Sequence, residues 1–230
     1  MGPMILRPGQ RLIVPGLRVF QPSMATLTQW WLSGGISAAN CIAAYQPKGA
    51  ADLASSYINL ANPGTNNAAP GTAPTFATGT GWTFNGSAQY LTTDVIPAVN
   101  QTWTFIVRYS NYPLAVAGYV LGNRGGGSTG FNIGPSSISY FYSSSGTAVS
   151  PGAAAATVAL AGQQGYRNGA SDGAALATAS VTNVAFFVGA RNNNGSADTY
   201  FNGNVLALAI YNITLNSTQV AALTTAMANL

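Results

Sequence analysis

The chain has 230 residues, enough to bury a core without disulfides or metal, and 47% of them are apolar, which excludes a disordered chain. Only 5% are charged, eight basic against four acidic, and there is no histidine. The acids are Asp52, Asp94, Asp172 and Asp198, so glutamate is absent too, which removes the usual zinc ligand sets and every histidine-dependent nucleophilic triad.

Solubility therefore rests on Asn, Gln, Ser, Thr and Gly, as expected of a chain packed in an assembly or held at an extracellular surface. An ordinary neutral lectin-like domain is the alternative. The net charge of +4 is scattered singly beyond the first residues. No basic cluster or groove for nucleic acid is expected, and no apolar run reaches the length of a membrane span.

Residues 1–24 carry Pro3, Pro8, Pro15 and Pro22, a spacing that forbids a helix and favours an extended path. "RLIVPG" and "LRVFQP" are short apolar pieces that cannot bury themselves. This arm, with Arg7, Arg11, Arg18 and Phe20, is expected to anchor along a partner, its own domain being the alternative; its arginines suit an acidic surface. The opening lacks the continuous apolar stretch of a secretory leader, so synthesis in a cytoplasm is expected. "TLTQWWLSGGISAAN" (26–40) reads as a short helix bridging into the domain. The expected division is an arm and linker over 1–40 and one domain over 41–230.

Cys41, in the apolar run "CIAAY", has no internal bridging partner and no base to activate it, and is expected to be buried. Thereafter the pattern is β. "TGWTFNGSAQYLTT" gives two short strands. In "QTWTFIVRYS", Trp103, Phe105, Val107 and Tyr109 alternate with Thr102, Thr104, Ile106 and Arg108. "AGYVLGN", "TGFNIG", "SISYFYS", "ATVALAG" and "VAFFVGAR" follow between Gly, Asn, Ser and Pro clusters, the spacing of a sandwich or barrel. The glycines of "GNRGGGSTG" (122–130) lack the Gly-Lys-Ser/Thr close of a phosphate loop and read as a connection between strands.

"RNNNGSADTYFNG" (191–203) reads as a rim loop, with Asn194-Gly195 and Asn202-Gly203 as turn pairs. Asn192, Asn193, Asn194 and Asp198 are its candidate contacts. Calcium takes six to eight oxygens, and one carboxylate makes Asp198 a weak candidate. In "YFNGNVLALAIYN", Val205, Ala207 and Ala209 alternate with Leu206, Leu208 and Ile210, apolar on both faces, as in a strand buried between layers. "NSTQVAALTTAMANL" closes the chain as a helix, with Asn216 and Gln219 as a capping box and Val220, Leu223, Met227 and Leu230 as its apolar stripe.

Glycoside cleavage needs two carboxyls flanking the bond, and no two of the four Asp share a strand, so no enzymatic activity and no cofactor are expected. Sugar binding needs aromatic platforms. Tyr140 and Tyr142, two apart in "SISYFYS", share a strand face, and "NYPLAVAGY" adds Tyr112 and Tyr119; packing within a sheet is the plainer reading of such a stripe.

The order of "AYQPKGAADLASSYINLANPG", "GWTFNGSAQYLTT", "WTFIVRYS", "GYRNGA", "FFVGAR" and "YFNGNVLALAIYNITLNSTQVAAL" resembles the laminin-G-like domains of the concanavalin A-like jelly-roll superfamily, from about Tyr45 to Leu230. The close of the pattern carries the likeness best, through Gly203, Tyr211, Asn212, Leu215, Ser217 and Val220. The resemblance implies an all-β jelly-roll sandwich of two antiparallel sheets with a short C-terminal helix. The variant opening with "AYQPKGAADLASSYINLANPG" is similar to domains of tailed bacteriophages. That implies a virion protein, a capsid decoration, head fibre or tail fibre or spike, held by its arm to other virion proteins and homo-oligomeric. A carbohydrate-binding module meeting cell-surface glycan is the alternative.

Overall fold

Apolar residues on both faces of the strand patterns near 104–110 and 202–211 demand a layer on each side, and the fold supplies both. The computed structural model describes residues 29–97, 102–115, 117–125, 130–134, 138–142, 145–149, 152–177 and 183–230. The arm and its candidates Arg7, Arg11, Arg18 and Phe20 lie outside the described residues. In chain order the elements are β1 (Cys41–Tyr45), α1 (Leu53–Ser56), β2 (Ala69–Thr72), β3 (Thr75–Ala77), β4 (Gly81–Asn85), β5 (Tyr90–Thr92), β6 (Thr104–Ser110) and β7 (Leu121–Arg124). Next come β8 (Gly130–Gly134), β9 (Ile138–Tyr142), β10 (Ser145–Val149), β11 (Ala156–Ala161), β12 (Gln164–Arg167) and β13 (Ala170–Ser171). The chain closes with β14 (Phe187–Val188), β15 (Arg191–Asn193), β16 (Ser196–Asp198), β17 (Asn202–Tyr211) and α2 (Ser217–Ala228).

The strands form two sheets. The first runs β13-β12-β11-β6-β17-β4-β3, with β1 also on β17; the second runs β10-β9-β8-β7-β14-β5-β2, with the β15–β16 hairpin joined at β7. All ladders are antiparallel except β15 on β7, which is parallel. The expected strand pair at 81–92 forms, but β4 and β5 belong to opposite sheets. Asn85 makes the crossing: its Oδ1 accepts from the backbone N–H groups of Ser87, Ala88 and Gln89.

The main core lies between the sheets and includes Trp82, Phe84, Leu91, Phe105, Val107, Leu121, Ile133, Val188, Leu208 and Ile210. A second core covers the outer face of the first sheet. There Ile106, Ala159, Ala207, Ala209 and Tyr211 meet Val220, Leu223 and Met227 of α2. The expected alternation of β6 holds, with Trp103, Phe105, Val107 and Tyr109 in the main core and Ile106 in the second.

In β17 the alternation is reset. Its register against β6 shifts between Val205 and Ala207, a β-bulge that puts Val205 on the same side as Leu208 and Ile210 rather than with Ala207 and Ala209. Asn202-Gly203, expected as a turn, is the start of this strand and pairs with Asn85 and Phe84. Gly203 has φ +151°, which a side chain tolerates poorly.

The bridge expected as a short helix forms two 3-10 turns, Trp30–Leu32 and Ala38–Asn40. Trp30, Trp31 and Ile36 are buried in the second core, and the Tyr211 hydroxyl donates to the Trp31 carbonyl at 2.8 Å. The folded unit therefore takes in residues assigned by sequence to the linker. Cys41 is buried as expected. Burial dominates and pushes its thiol up to about 12, despite hydrogen bonds to Ala43 and Tyr211.

Candidate functional site

The helix-covered first sheet leaves the outer face of the second as the place to look for a site. Register identifies that face. Leu121 enters the main core, so its neighbour Gly122 faces outward, and Gly122 pairs with Phe187, Asn132 and Arg191. Phe187 in turn stands opposite Thr92 of β5, whose neighbour Leu91 is in the core. Tyr90, Thr92, Phe187 and Arg191 thus belong to one outward surface.

The β15–β16 hairpin shapes one side of it. Asn193 pairs with Ser196, leaving Asn194-Gly195 as a two-residue turn with φ +52° and +97°, the primed geometry that these residue types accept. Asn194-Gly195 is a turn as expected, but the residues on either side of it, expected as a loop, form the strands β15 and β16. Inside the hairpin, Arg191 Nε donates to Asp198 Oδ1 at 2.7 Å and Nη2 to Oδ2 at 2.8 Å, a two-pronged ion pair. Asn193 Nδ2 donates to Oδ2 at 2.9 Å and Thr199 Oγ1 to Oδ1 at 3.3 Å. Burial pulls the Asp198 carboxyl upward, but the hydrogen bond and charge of Arg191, with Asn193 and Thr199, outweigh it and hold it below the usual carboxylate range. The Asp198 hydrogen bond raises the Arg191 guanidinium further. That guanidinium also lies 5.3 Å from the centre of the Tyr119 ring, a cation–π contact.

Aromatic rings continue the surface. Tyr90 lies 4.7 Å from Phe187 and 6.4 Å from Tyr200 between ring centres. Tyr119 and Tyr200 form a parallel bridge, and the Tyr200 hydroxyl donates to the Ala197 carbonyl at 3.1 Å. Tyr90, Tyr119 and Tyr200 are each half-buried, with part of each ring in solvent. Gly71 of β2 sits under Tyr90, and a Cβ there would fall on the ring, so the glycine is what lets Tyr90 lie against the sheet. The result is a shelf of three half-buried tyrosines, with Phe187 buried beneath them at 7% exposure, beside a polar corner of Arg191, Asp198 and Asn193.

Sequence candidates distribute unevenly over this geometry. Tyr119, Asn193 and Asp198 are part of it. Tyr112 is not: it is 2% exposed and stacks on Phe201 at 5.2 Å between ring centres, so it is core and offers no platform. Tyr140 pairs with Ile133 and Tyr142 with Phe131 in the β8–β9 ladder, and neither is brought to the β15–β16 corner by that register. Asn192 is a buried residue of β15 whose side chain braces the turn, accepting from the Gly195 N–H at 2.7 Å and donating to the Ala185 carbonyl at 2.9 Å. Asn194 supplies the left-handed turn position.

Asp198 is no calcium ligand in this arrangement, because both carboxylate oxygens are engaged by a guanidinium that a cation would have to displace. Sequence reading missed Tyr90, Phe187, Tyr200 and Arg191. Their signal was present in Tyr90 and Phe187 flanking core residues on short strands, but the pairing of β5 with β14, far apart in sequence, has no local signature.

The four Asp are spread over separate structural duties. Asp52 caps α1 by accepting from the Ser55 N–H at 2.7 Å. Asp94 accepts from the Thr92 hydroxyl at 2.9 Å, Asp172 pairs with Arg167 at 3.6 Å, and Asp198 pairs with Arg191. Among the described residues, no group of three or more His, Cys, Asp or Glu side chains gathers to hold a metal.

No family model and no curated protein matches the sequence. Solved structures do match in fold. A mutant of Trypanosoma rangeli sialidase displaying trans-sialidase activity is 17% identical with a TM-score of 0.56, over 83% of this chain and 34% of the sialidase. The same sialidase in complex with sialic acid gives 17% identity and a TM-score of 0.53, over 81% and 33%. Domain 4 of AbnA, a GH43 extracellular arabinanase from Geobacillus stearothermophilus in complex with arabinotriose, gives 16% and 0.53, over 80% of this chain and 98% of that domain. The chain spans about a third of the sialidase length and nearly all of the arabinanase domain. The likeness is one of fold, and with the two-sheet topology it makes the chain a jelly-roll sandwich.

Proposed function

We propose that the chain is a carbohydrate-binding module whose ligand lies on the outer face of the second sheet. The observation that carries the reading is the shelf of Tyr90, Tyr119, Tyr200 and Phe187 beside the Arg191–Asp198–Asn193 corner. Sugar rings have apolar C–H faces that stack on aromatic rings and hydroxyl rims that need directed donors and acceptors. Arabinotriose in the matched arabinanase domain supports a saccharide as the ligand class. Binding without cleavage is part of the proposal, since the four Asp side chains are each engaged in the cap, hydrogen bond or ion pair described above. Screening the full chain on a glycan array, alongside a Tyr90→Ala/Tyr200→Ala variant, tests it. Binding to a defined glycan set that the variant loses supports the site; equal binding by both proteins removes it.

A finer reading concerns where the module works. The resemblance to tailed-phage domains and the low charge support display on a virion, through residues 1–24, as a decoration or fibre whose sandwich meets host glycan or extends the particle. Assembly of the particle with an arm-deleted chain tests this: loss of incorporation supports anchoring by the arm, and full incorporation refutes it.

A further inference from the structure

Away from the shelf, a cleft of about 270 Å³ opens beside α1, lined by Trp31, Ala50, Ala51, Ser55, Ile58 and Leu60 among others. Its walls are chiefly apolar, and Ile58 is 39% exposed, which is costly for an isoleucine with nothing over it. Asp52 stands between the lining residues Ala51 and Ser55. It is exposed, and among the described residues no basic group pairs with it, whereas Asp172 and Asp198 each pair with an arginine. The cleft thus has an apolar floor and one carboxylate at its edge.

Residues 1–28 precede the first described residue, Gln29, which lies two positions before the lining residue Trp31. In "LRVF" (17–20), an extended path puts Arg18 and Phe20 on the same side. Eight residues lie between Phe20 and Gln29, and the nine steps that join them span up to about 30 Å when extended, so the segment can turn back to the cleft of its own chain. Pro22 and Ser23 supply residue types suited to that turn. We propose that residues 17–20 dock in this cleft in the same chain, with Phe20 against Trp31 and Ile58 and Arg18 beside Asp52, which leaves the part of the arm before Leu17 to meet a virion partner. A tethered segment reaches a neighbouring site at a local concentration that a second copy in dilute solution does not match. An aromatic anchor flanked by one charge pair is the pattern by which short segments hold to a groove.

Trypsin reads this directly on the full chain, because both Arg11–Leu12 and Arg18–Val19 are cleavable bonds in the arm. The expected result is slow cleavage after Arg18 and fast cleavage after Arg11, with the same ratio at every protein concentration. Ile58→Asp should bring cleavage after Arg18 to the rate seen after Arg11. Asp52→Asn keeps a good N-cap for α1 and removes only the charge, and should speed cleavage after Arg18 roughly two- to fivefold at low salt. Equal cleavage after both arginines in the unaltered chain overturns the proposal. Protection that fades on dilution also overturns it, since the arm would then belong to a second copy.

Discussion

Arg191 is the residue on which the polar corner turns. It binds both oxygens of Asp198 and lies over Tyr119, joining the hairpin to the aromatic shelf. Its side chain is 15% exposed and that of Asp198 33%, so solvent weakens the pair without removing it. Arg191→Ala should lower unfolding free energy by about 1–2 kcal/mol at neutral pH, measured by urea denaturation. The folded carboxyl titrates below its unfolded value of about 3.9, so its contribution is full above that pH and is lost as pH falls through the lower folded value. The two proteins should therefore differ most near neutrality and converge in strong acid.

Cys41 gives a second test at this scale. With its thiol pushed up to about 12 by burial, it should react with iodoacetamide at pH 8 at least roughly a hundredfold more slowly than a free thiol, and normally once the chain is unfolded in urea. Comparable rates in the folded and unfolded chain would contradict the buried placement. Its burial was legible in "CIAAY", because no base or second cysteine competes for it. The role of Arg191 was not: nothing in "VGARNNNG" reveals that β15 runs parallel to β7 and turns its arginine toward Tyr119.

Elements with a local signature were readable from the sequence. α2 begins where its capping box predicts: the Asn216 side chain accepts from the Gln219 N–H at 2.9 Å and Gln219 Oε1 accepts from the Asn216 N–H at 3.1 Å. Val220, Leu223 and Met227 are fully buried on the second core. Asn216→Ala should cost about 1 kcal/mol, seen as a lower thermal midpoint. The "YRNG" hairpin is likewise as expected, with Asn168 and Gly169 at φ +50° and +85° between β12 and β13. β17 was legible as a doubly buried strand but not in its facing. Its bulge depends on pairing with β6, and the sequence "NVLALA" has no feature that sets it. β5 shows the same limit, since its sheet assignment depends on β14. The pairing of β2 with β5 gives an element-scale test of the shelf. Gly71→Ala on β2 should push Tyr90 off the sheet and weaken glycan binding severalfold while every ring remains; unchanged binding would separate Tyr90 from the site.

At the scale of the molecule the sandwich is asymmetric. α2 and the Trp30–Trp31 turn cover the outer face of the first sheet over Ile106, Ala159, Ala207, Ala209 and Tyr211, so an apolar layer lies on each side of β6 and β17 there. The second sheet has its core layer on one side and the tyrosine shelf on the other. The two-sheet β architecture followed from strand spacing and from the double-sided apolar pattern. The division of labour between sheets did not, because it arises from non-local pairing that brings residues 90, 119, 187, 191 and 200 to one surface. Low charge fits such a surface, since stacking and neutral hydrogen bonds hold a sugar without a charged groove.

The most direct test of a glycan site on this face is a titration of the isotope-labelled chain, followed by two-dimensional amide NMR, with a glycan selected on the array. The account predicts saturable shifts clustered at Tyr90, Tyr119, Phe187, Arg191, Asn193 and Tyr200, absent from the α2 face. Shifts confined to α2 or to the α1 cleft, with the shelf unperturbed at saturation, would contradict it.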